Sequence, residues 1–449
     1  MLIEFSVENF KSIKDRVTLS MLASNATGED EGTNQNVIVD VGKPKHRLLK
    51  TAAIYGANAS GKSNLIEAIS FFCNFVRDSA KEGQSGEKIP IDVFRLDARC
   101  AAMPSSFEIV FLRENIRHEY RFVADGERIH HERLRDYPKG QPRKVFERRW
   151  DPGEKTYAFE KGSGWIGEWK TLQDLTRPNA LFLSVAAQLN NELAGRIVEW
   201  IGGNIKFLGL FPEDNTGYYF TLILAQENLG IHNAMLKWLR HVDPGIADFE
   251  IKFDEFAAFG DSTSVYPVKT KTVVTIHQGV APDGTAKPVL FRLEQESHGT
   301  QRFFSLLFPL YVSLESGFTL VADELDTRLH PLITRWIINL FHDPKTNPHT
   351  AQLVFATHDA GLLGKRLSRR GQGTRTDRPD EESAIAADGS RRRGEELFRR
   401  DQIWLTHKEN GATRLYSLWD LRIRNTEDLR ANYLLGRYGG VPFIDELDP

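Results

Sequence analysis

Leu2-Ile3-Glu4-Phe5-Ser6-Val7 is an apolar-rich run, and Val17, Leu19 and Met21 alternate with Thr18 and Ser20. Alternation of period two is what a half-buried strand presents, so two strands joined by a turn are predicted over the first 22 residues. Residues 23–36 are polar and predict a loop. The short apolar run TAAIY (51–55) predicts a buried strand. Behind it the period changes. Leu65, Ile66, Ile69, Phe72, Phe75 and Val76 recur every three or four positions, one face of a helix. Residues 107–112 and 120–123 then read as strands of a β-rich flank that continues with breaks to about residue 160.

From 171 to 245 the spacing is helical through Leu189, Leu193, Ile197, Trp200 and Ile201, and again through Met235, Leu236, Trp238 and Leu239. The expectation is an inserted, mainly helical subdomain without the long heptads of a coiled coil. Strand-like segments return at 268–276 and 289–293. After residue 298 a helix, a strand, a helix and a strand follow in order, which implies parallel α/β winding. Three parts are therefore expected: 1–155, 156–285 and 286–449. Residues 365–394 are crowded with Arg, Gly, Asp and Ser and predict a mobile surface insertion. Its clusters Arg369-Arg370 and Arg391–Arg393 offer charge to nucleic acid, although a solvated linker is the plainer reading.

Composition narrows the class only slightly. The 449 residues exceed one ordinary core, and 41% hydrophobic with 27% charged residues is the balance of a water-exposed globular chain. Lys and Arg number 58 against 61 Asp and Glu, a net −3 that neither demands nor excludes nucleic acid. The two cysteines, Cys73 and Cys100, form no disulfide framework and no metal spacing. No apolar stretch approaches the ~20 residues of a membrane span. The start MLIEFSVENF has acidic residues where a signal peptide carries basic ones, so a cytoplasmic protein is expected.

Chemistry enters between the strand at 51–55 and the helix behind it. Residues 56–63 read GANASGKS and fit G-x-x-x-x-G-K-[ST], the phosphate-binding loop of nucleotide hydrolases. Gly56 and Gly61 let the backbone turn so that N–H groups of Ala57, Asn58, Ala59, Ser60 and Asn64 face phosphate oxygens at a helix N-terminus. Lys62 is the point charge for the β- and γ-phosphates, and Ser63 is a Mg²⁺ ligand. Downstream, FTLVADELD (318–326) reads as a buried strand that delivers Asp323 and Glu324 to its C-terminal end. Asp323 is expected to hold Mg²⁺, and Glu324 to polarise the attacking water. A further strand, AQLVFAT (351–357), ends in His358, a candidate hydrogen-bonder to the γ-phosphate or the water. In ESHGTQRFFSLLFPL (296–310), Ser297 is a candidate N-cap and Gly299 leaves room for an anion. One chain already has a phosphate cradle, so this second helix start makes sense if it serves another subunit's nucleotide.

Taken in order, these elements resemble the ABC-type ATPase heads shared by SMC, RecF and OLD-like proteins. IEFSVENFKSIKD, GANASGKSNL, ESHGTQRFF, DELDTRLHP and FRRDQIWLTHKENGATRLYSL further resemble the standalone AAA-type ATPases of bacterial defence loci, the RloA and AbiLii-like group. The 365–394 insertion departs from that pattern by separating the His358 segment from FRRDQIW. The resemblance implies an ABC-type P-loop NTPase head, a parallel-core sheet with a β-rich lateral flank, that hydrolyses ATP with Mg²⁺. It also implies a homodimer or higher homo-oligomer with ATP between one subunit's phosphate loop and the other's Ser297 signature, Asp326–His330 lying in the interface. Such proteins work with a separately encoded effector, a nuclease or toxin, and no effector signature is legible here.

Three readings stay open at this stage. One is an ATP-driven defence switch. Another is a DNA repair or recombination head that binds duplex DNA, for which Arg133, Arg135, Arg143, Lys144, Arg148 and Arg149 form a candidate basic face. The third is a scaffold that uses nucleotide only to assemble. A membrane transporter ATPase is disfavoured, because a large insertion separates Lys62 from Ser297.

Overall fold

The computed structural model describes residues 1–24, 35–42, 45–209, 228–259, 265–364, 396–421, 423 and 427–441. The insertion expected at 365–394, with its arginine clusters, lies outside them. In chain order, β1 (Leu2–Glu8) pairs antiparallel with β2 (Val17–Ser20), Val7 opposite Val17. β3 (Val37–Val41) and β4 (His46–Leu49) make a separate hairpin. β5 (Thr51–Gly56) is buried along its whole length and leads through the glycine loop into α1 (Lys62–Asp78), with the single turn α2 (Ala98–Ala101) beyond. A meander follows: β6 (Ser105–Arg113), β7 (Ile116–Ala124), β8 (Ile129–Tyr137), β9 (Arg143–Asp151) and β10 (Thr156–Lys161). With β1 and β2 it forms a seven-stranded lateral sheet in the order β10-β9-β8-β7-β6-β1-β2.

Next come α3 (Lys170–Leu175), α4 (Phe182–Gln188), α5 (Glu192–Asn204) and β11 (Ile205–Leu208). α6 (Leu229–Val242) precedes the three-stranded antiparallel sheet of β12 (Ile246–Phe259), β13 (Val265–Val280) and β14 (Ala286–Arg292). The chain then winds through α7 (His298–Ser316), β15 (Thr319–Ala322), α8 (Pro331–His342) and β16 (Gln352–Ala356). It finishes its described part with β17 (Ile403–Glu409), β18 (Ala412–Ser417) and α9 (Leu429–Leu434).

The central sheet has the order β11-β15-β16-β5-β17-β18, parallel except for the antiparallel edge strand β18. Its inner strands β15, β16 and β5 read as mostly apolar runs because both faces are covered. Ala52 and Ile54 of β5, Val321 of β15 and Val354 of β16 face one core, together with α1, α4, α5 and the lateral sheet. Ala53 and Tyr55, Leu320 and Leu353 face the other, under α7 and α8. Period-two alternation thus sends each strand's neighbours into opposite layers. Within the first layer Phe72 of α1 stacks on Phe122 of β7 at 5.4 Å and meets Phe5 of β1 edge-on at 5.7 Å.

Described residues of the 156–285 stretch join these layers. β10 edges the lateral sheet, α5 packs on α1, and β11 pairs with β15, Ile205 opposite Thr319. Only four residues long, IKFL is too short to interrupt the helical spacing around it, so the expectation of a run of helices passed over a strand of the central sheet. The buried carboxylate of Glu132 ties the layers together. It accepts N–H bonds from Phe182 (2.7 Å) and Leu183 (2.9 Å) at the start of α4, with the fully buried Arg148 guanidinium 3.7 Å away.

Candidate nucleotide site

Four parallel strands, β15, β16, β5 and β17, end on one edge of the central sheet, where open α/β sheets receive ligands. The glycine loop crosses this edge. Ala59 (φ 60°) and Gly61 (φ 106°) both take left-handed conformations, which turn the loop sharply. A Cβ on Gly61 would lie 2.1 Å from Thr413 Oγ1, and one on Gly56 would lie 2.2 Å from Thr406 Oγ1, so both positions exclude a side chain. Gly61 is the N-cap of α1 and offers its first turn no side-chain acceptor, which leaves those N–H groups for an anion. Lys62 Nζ donates to the carbonyls of Gly56 (2.8 Å) and Ala57 (3.0 Å). Burial lowers its pKa, while the carboxylates of Asp323, Glu324 and Asp326 pull the other way.

Hydroxyl groups from both ends of the chain hold the loop. Ser60 Oγ and Thr406 Oγ1 are 2.7 Å apart, and Thr413 Oγ1 donates to the Ser60 carbonyl at 2.9 Å. Ser12 Oγ lies 2.7 Å from Thr413 Oγ1 and accepts from the Asn64 amide at 2.5 Å. The side chains of Ser60 and Asn64 are thereby engaged by protein. The Ser60 N–H donates to the Ala57 carbonyl at 3.1 Å, so the sequence expectation that Ser60 offers its N–H to phosphate is not met here, whereas the Asn64 N–H in the first turn of α1 remains for phosphate.

At the end of β15 the Asp323 N–H donates to the Leu208 carbonyl (2.9 Å), which anchors the acidic pair to β11. Asp323 Oδ1 is buried with no hydrogen-bond partner. Burial raises the Asp323 pKa; the Ser63 hydroxyl lowers it, Glu324 raises it and Lys62 lowers it. An orphaned carboxylate oxygen beside a hydroxyl is a donor set that suits a hard, oxygen-seeking cation. Among the described residues no group of three or more His, Cys, Asp or Glu could hold a metal by itself. Glu324 sits at φ 47°, an uncommon conformation for a non-glycine residue, and its carboxylate is exposed and accepts from Thr327 Oγ1 at 3.0 Å.

His358 follows β16, and its N–H donates to Asp326 Oδ2 at 3.4 Å. Burial and the Lys62 charge lower its pKa against the pull of Asp326, Glu324 and Asp323, so the imidazole is neutral at pH 7. Asn58, Ala59, Ser60, Gly61, Lys62, Ser63 and Asn64 share a cavity of about 420 Å³ with Glu324 and His358, residues some 260 to 300 positions downstream. Gly56 and Ala57 lie outside its lining. So do Ser297 and Gly299. Ser297 caps α7, accepting the Thr300 N–H at 3.1 Å, and a Cβ on Gly299 would meet the Arg328 carbonyl at 3.2 Å.

Four residues at the site were not foreseen from sequence: Ser12, Thr406, Thr413 and Lys408, the last of which completes the cavity lining. The Asn410-Gly411 pair between two alternating segments marks the hairpin that carries three of them, but nothing local says where that hairpin packs. All of the basic run on β8 and β9 except Arg135 is paired or buried. Arg133 pairs with Glu119, Arg143 with Asp136, Arg149 with Glu147 and Lys144 with Glu147 and Glu160, while Arg148 is wholly buried beside Glu132. Some of these partners sit on neighbouring strands and are unreadable without the pairing register, while Glu147 lies on β9 itself.

A glycine loop entering a helix, with an acidic strand end and a histidine strand end across one cavity, defines a P-loop ATPase of the AAA/ABC type. Residues 52–162 and 221–364, more than half of the chain, match the family described as "AAA domain, putative AbiEii toxin, Type IV TA system", and the chain belongs to that family. No curated protein matches it. No helix among the described residues is long and apolar enough to cross a membrane.

Proposed function

We propose that this chain is an ATP-driven switch. Two copies close around ATP, hydrolyse it, and through that cycle control a separately encoded effector in anti-phage defence. The observation that carries the reading is the shared cavity in which Lys62, Ser63, Glu324 and His358 meet, with the orphaned oxygen of Asp323 behind them. The family's link to a type IV toxin–antitoxin system supports the defence role, and the kinship to RloA, AbiLii-like, SMC, RecF and OLD heads belongs to the same proposal.

The chemistry follows from the residues. Lys62 leaves the Gly56 and Ala57 carbonyls for the β- and γ-phosphates. Glu324 orients the attacking water and draws on its proton as the water oxygen bonds to the γ-phosphorus. The bond from that phosphorus to the bridging oxygen breaks, and ADP and phosphate are released. Neutral His358 donates a hydrogen bond to the γ-phosphoryl oxygens. Ser63 and Asp323 would hold Mg²⁺, which supplies charge neutralisation across the phosphates when bound. Ser297 and Gly299 stand away from this cavity, which fits a role at the nucleotide of a second copy, with Asp326–His330 at the contact. Closure is then a population shift driven by tighter nucleotide binding in the closed pair.

The test is nucleotide binding and turnover by the full chain, with sedimentation run in parallel. ATP should bind, be hydrolysed slowly and raise the apparent mass, and Lys62→Ala should abolish all three. An ATP-independent mass with no turnover would leave only a scaffold.

A further inference from the structure

Among the described residues Lys408 is the one lysine or arginine besides Lys62 that lines the nucleotide cavity, and no phosphate-loop motif contains it. Its place is set by register. β17 runs parallel to β5 with Thr406 opposite Gly56, and Lys408 lies two residues further along, on the same face as Thr406. Thr413, directly across the hairpin from Lys408, shares that face. Thr406 touches Ser60, and Thr413 donates to the Ser60 carbonyl, so this face of the hairpin is laid against the phosphate loop. Lys408 extends the row beyond the two threonines. It is exposed, and its ammonium has no ion-pair or hydrogen-bond partner among the described residues, unlike Lys62, which rests on two carbonyls.

We infer that Lys408 is a second cationic contact for the nucleotide's phosphate chain, delivered from strand β17. The inference rests on the nucleotide reading of the cavity. A triphosphate brings several negative charges into a site whose own side chains include Glu324 and Asp323, and one lysine leaves most of that charge to be met by metal and N–H groups. A lysine on a rigid hairpin meets it without rearranging the loop, and its flexible stem lets the ammonium follow the phosphates.

The experiment measures ATP, ADP and adenosine binding calorimetrically for the full chain and for Lys408→Ala, Lys408→Arg and Lys62→Ala, with thermal unfolding as the control for folding. Loss of one charge-assisted hydrogen bond should weaken ATP by about ten- to a hundredfold in Lys408→Ala. Adenosine binding and the unfolding temperature should stay at the parent's values, and Lys408→Arg should restore most of the affinity. Parent-like ATP affinity in Lys408→Ala, alongside failure of Lys62→Ala, overturns the inference and leaves the nucleotide site standing. Absence of ATP binding by the parent overturns the site reading and this inference with it.

Discussion

The Thr413 hydroxyl donates to the Ser60 carbonyl at 2.9 Å across 353 residues of sequence. One hydroxyl from the last hairpin therefore holds the backbone of a loop near the start of the chain, and the same oxygen lies 2.7 Å from Ser12 Oγ. Removal of that hydroxyl at constant side-chain volume isolates its effect. Thr413→Val should destabilise the fold by about 1–3 kcal/mol, because a buried carbonyl is left unpaired. It should weaken ATP binding by more than that global loss explains, since the loop itself loosens. Equilibrium urea unfolding and calorimetric titration read the two effects, and unchanged ATP affinity would refute the clamp.

Glu324→Gln keeps the shape of the side chain and removes its basicity. We expect ATP binding within about threefold of the parent and turnover reduced about a hundredfold or more, the usual scale for a lost general base. The nucleotide-bound pair should accumulate and appear in light scattering as twice the chain mass. Parent-like turnover in this variant would move the base elsewhere.

His342, fully buried at the end of α8 with its Nε2 2.9 Å from Thr51 Oγ1, has its pKa lowered to about 3 by burial and by Lys50. The unfolded chain takes up this proton near the ordinary value of ~6.5, before the folded chain does, so acid favours unfolding. Stability from this group is complete above about pH 6.5 and falls as pH drops toward 3. At pH 5 the loss should be about 2 kcal/mol relative to pH 7.5. His342→Asn, although less stable overall, should flatten that part of the profile. An equal slope in parent and variant, from urea unfolding at the two pH values, would rule the histidine out as its source.

Glu132 is the buried acceptor that joins β8 to the start of α4. Glu132→Ala strands Arg148 without its carboxylate and exposes two N–H groups to an apolar pocket, so a loss of about 3–5 kcal/mol is expected. Glu132→Gln retains an acceptor and should cost less. Denaturant unfolding of both variants checks the order, and equal losses would mean that the charge, not the acceptor geometry, is what the site needs.

What could be read from sequence was whatever is encoded within one element. The 51–56 strand, the loop and α1 follow from an apolar run, two glycines and a 3.6-residue period. The DE pair and His358 follow from apolar strands ending in polar groups. What escaped depends on long-range pairing. Ile205–Leu208 is a central strand only because β15 lies beside it. Lys408 and Thr413 reach the nucleotide loop only because β17 pairs with β5 in one register. The basic run looked free because its acidic partners sit across the sheet, on β7 and β10 and at other positions of β8 and β9 themselves.

The hydroxyl clamp also orders events during synthesis. A nascent chain that has left the ribosome through the acidic and histidine strands carries every recognisable ATPase motif, yet its phosphate loop still lacks Thr406 and Thr413. On the proposed reading, nucleotide competence should arrive only with that hairpin, so a fragment that stops short of it should bind no nucleotide.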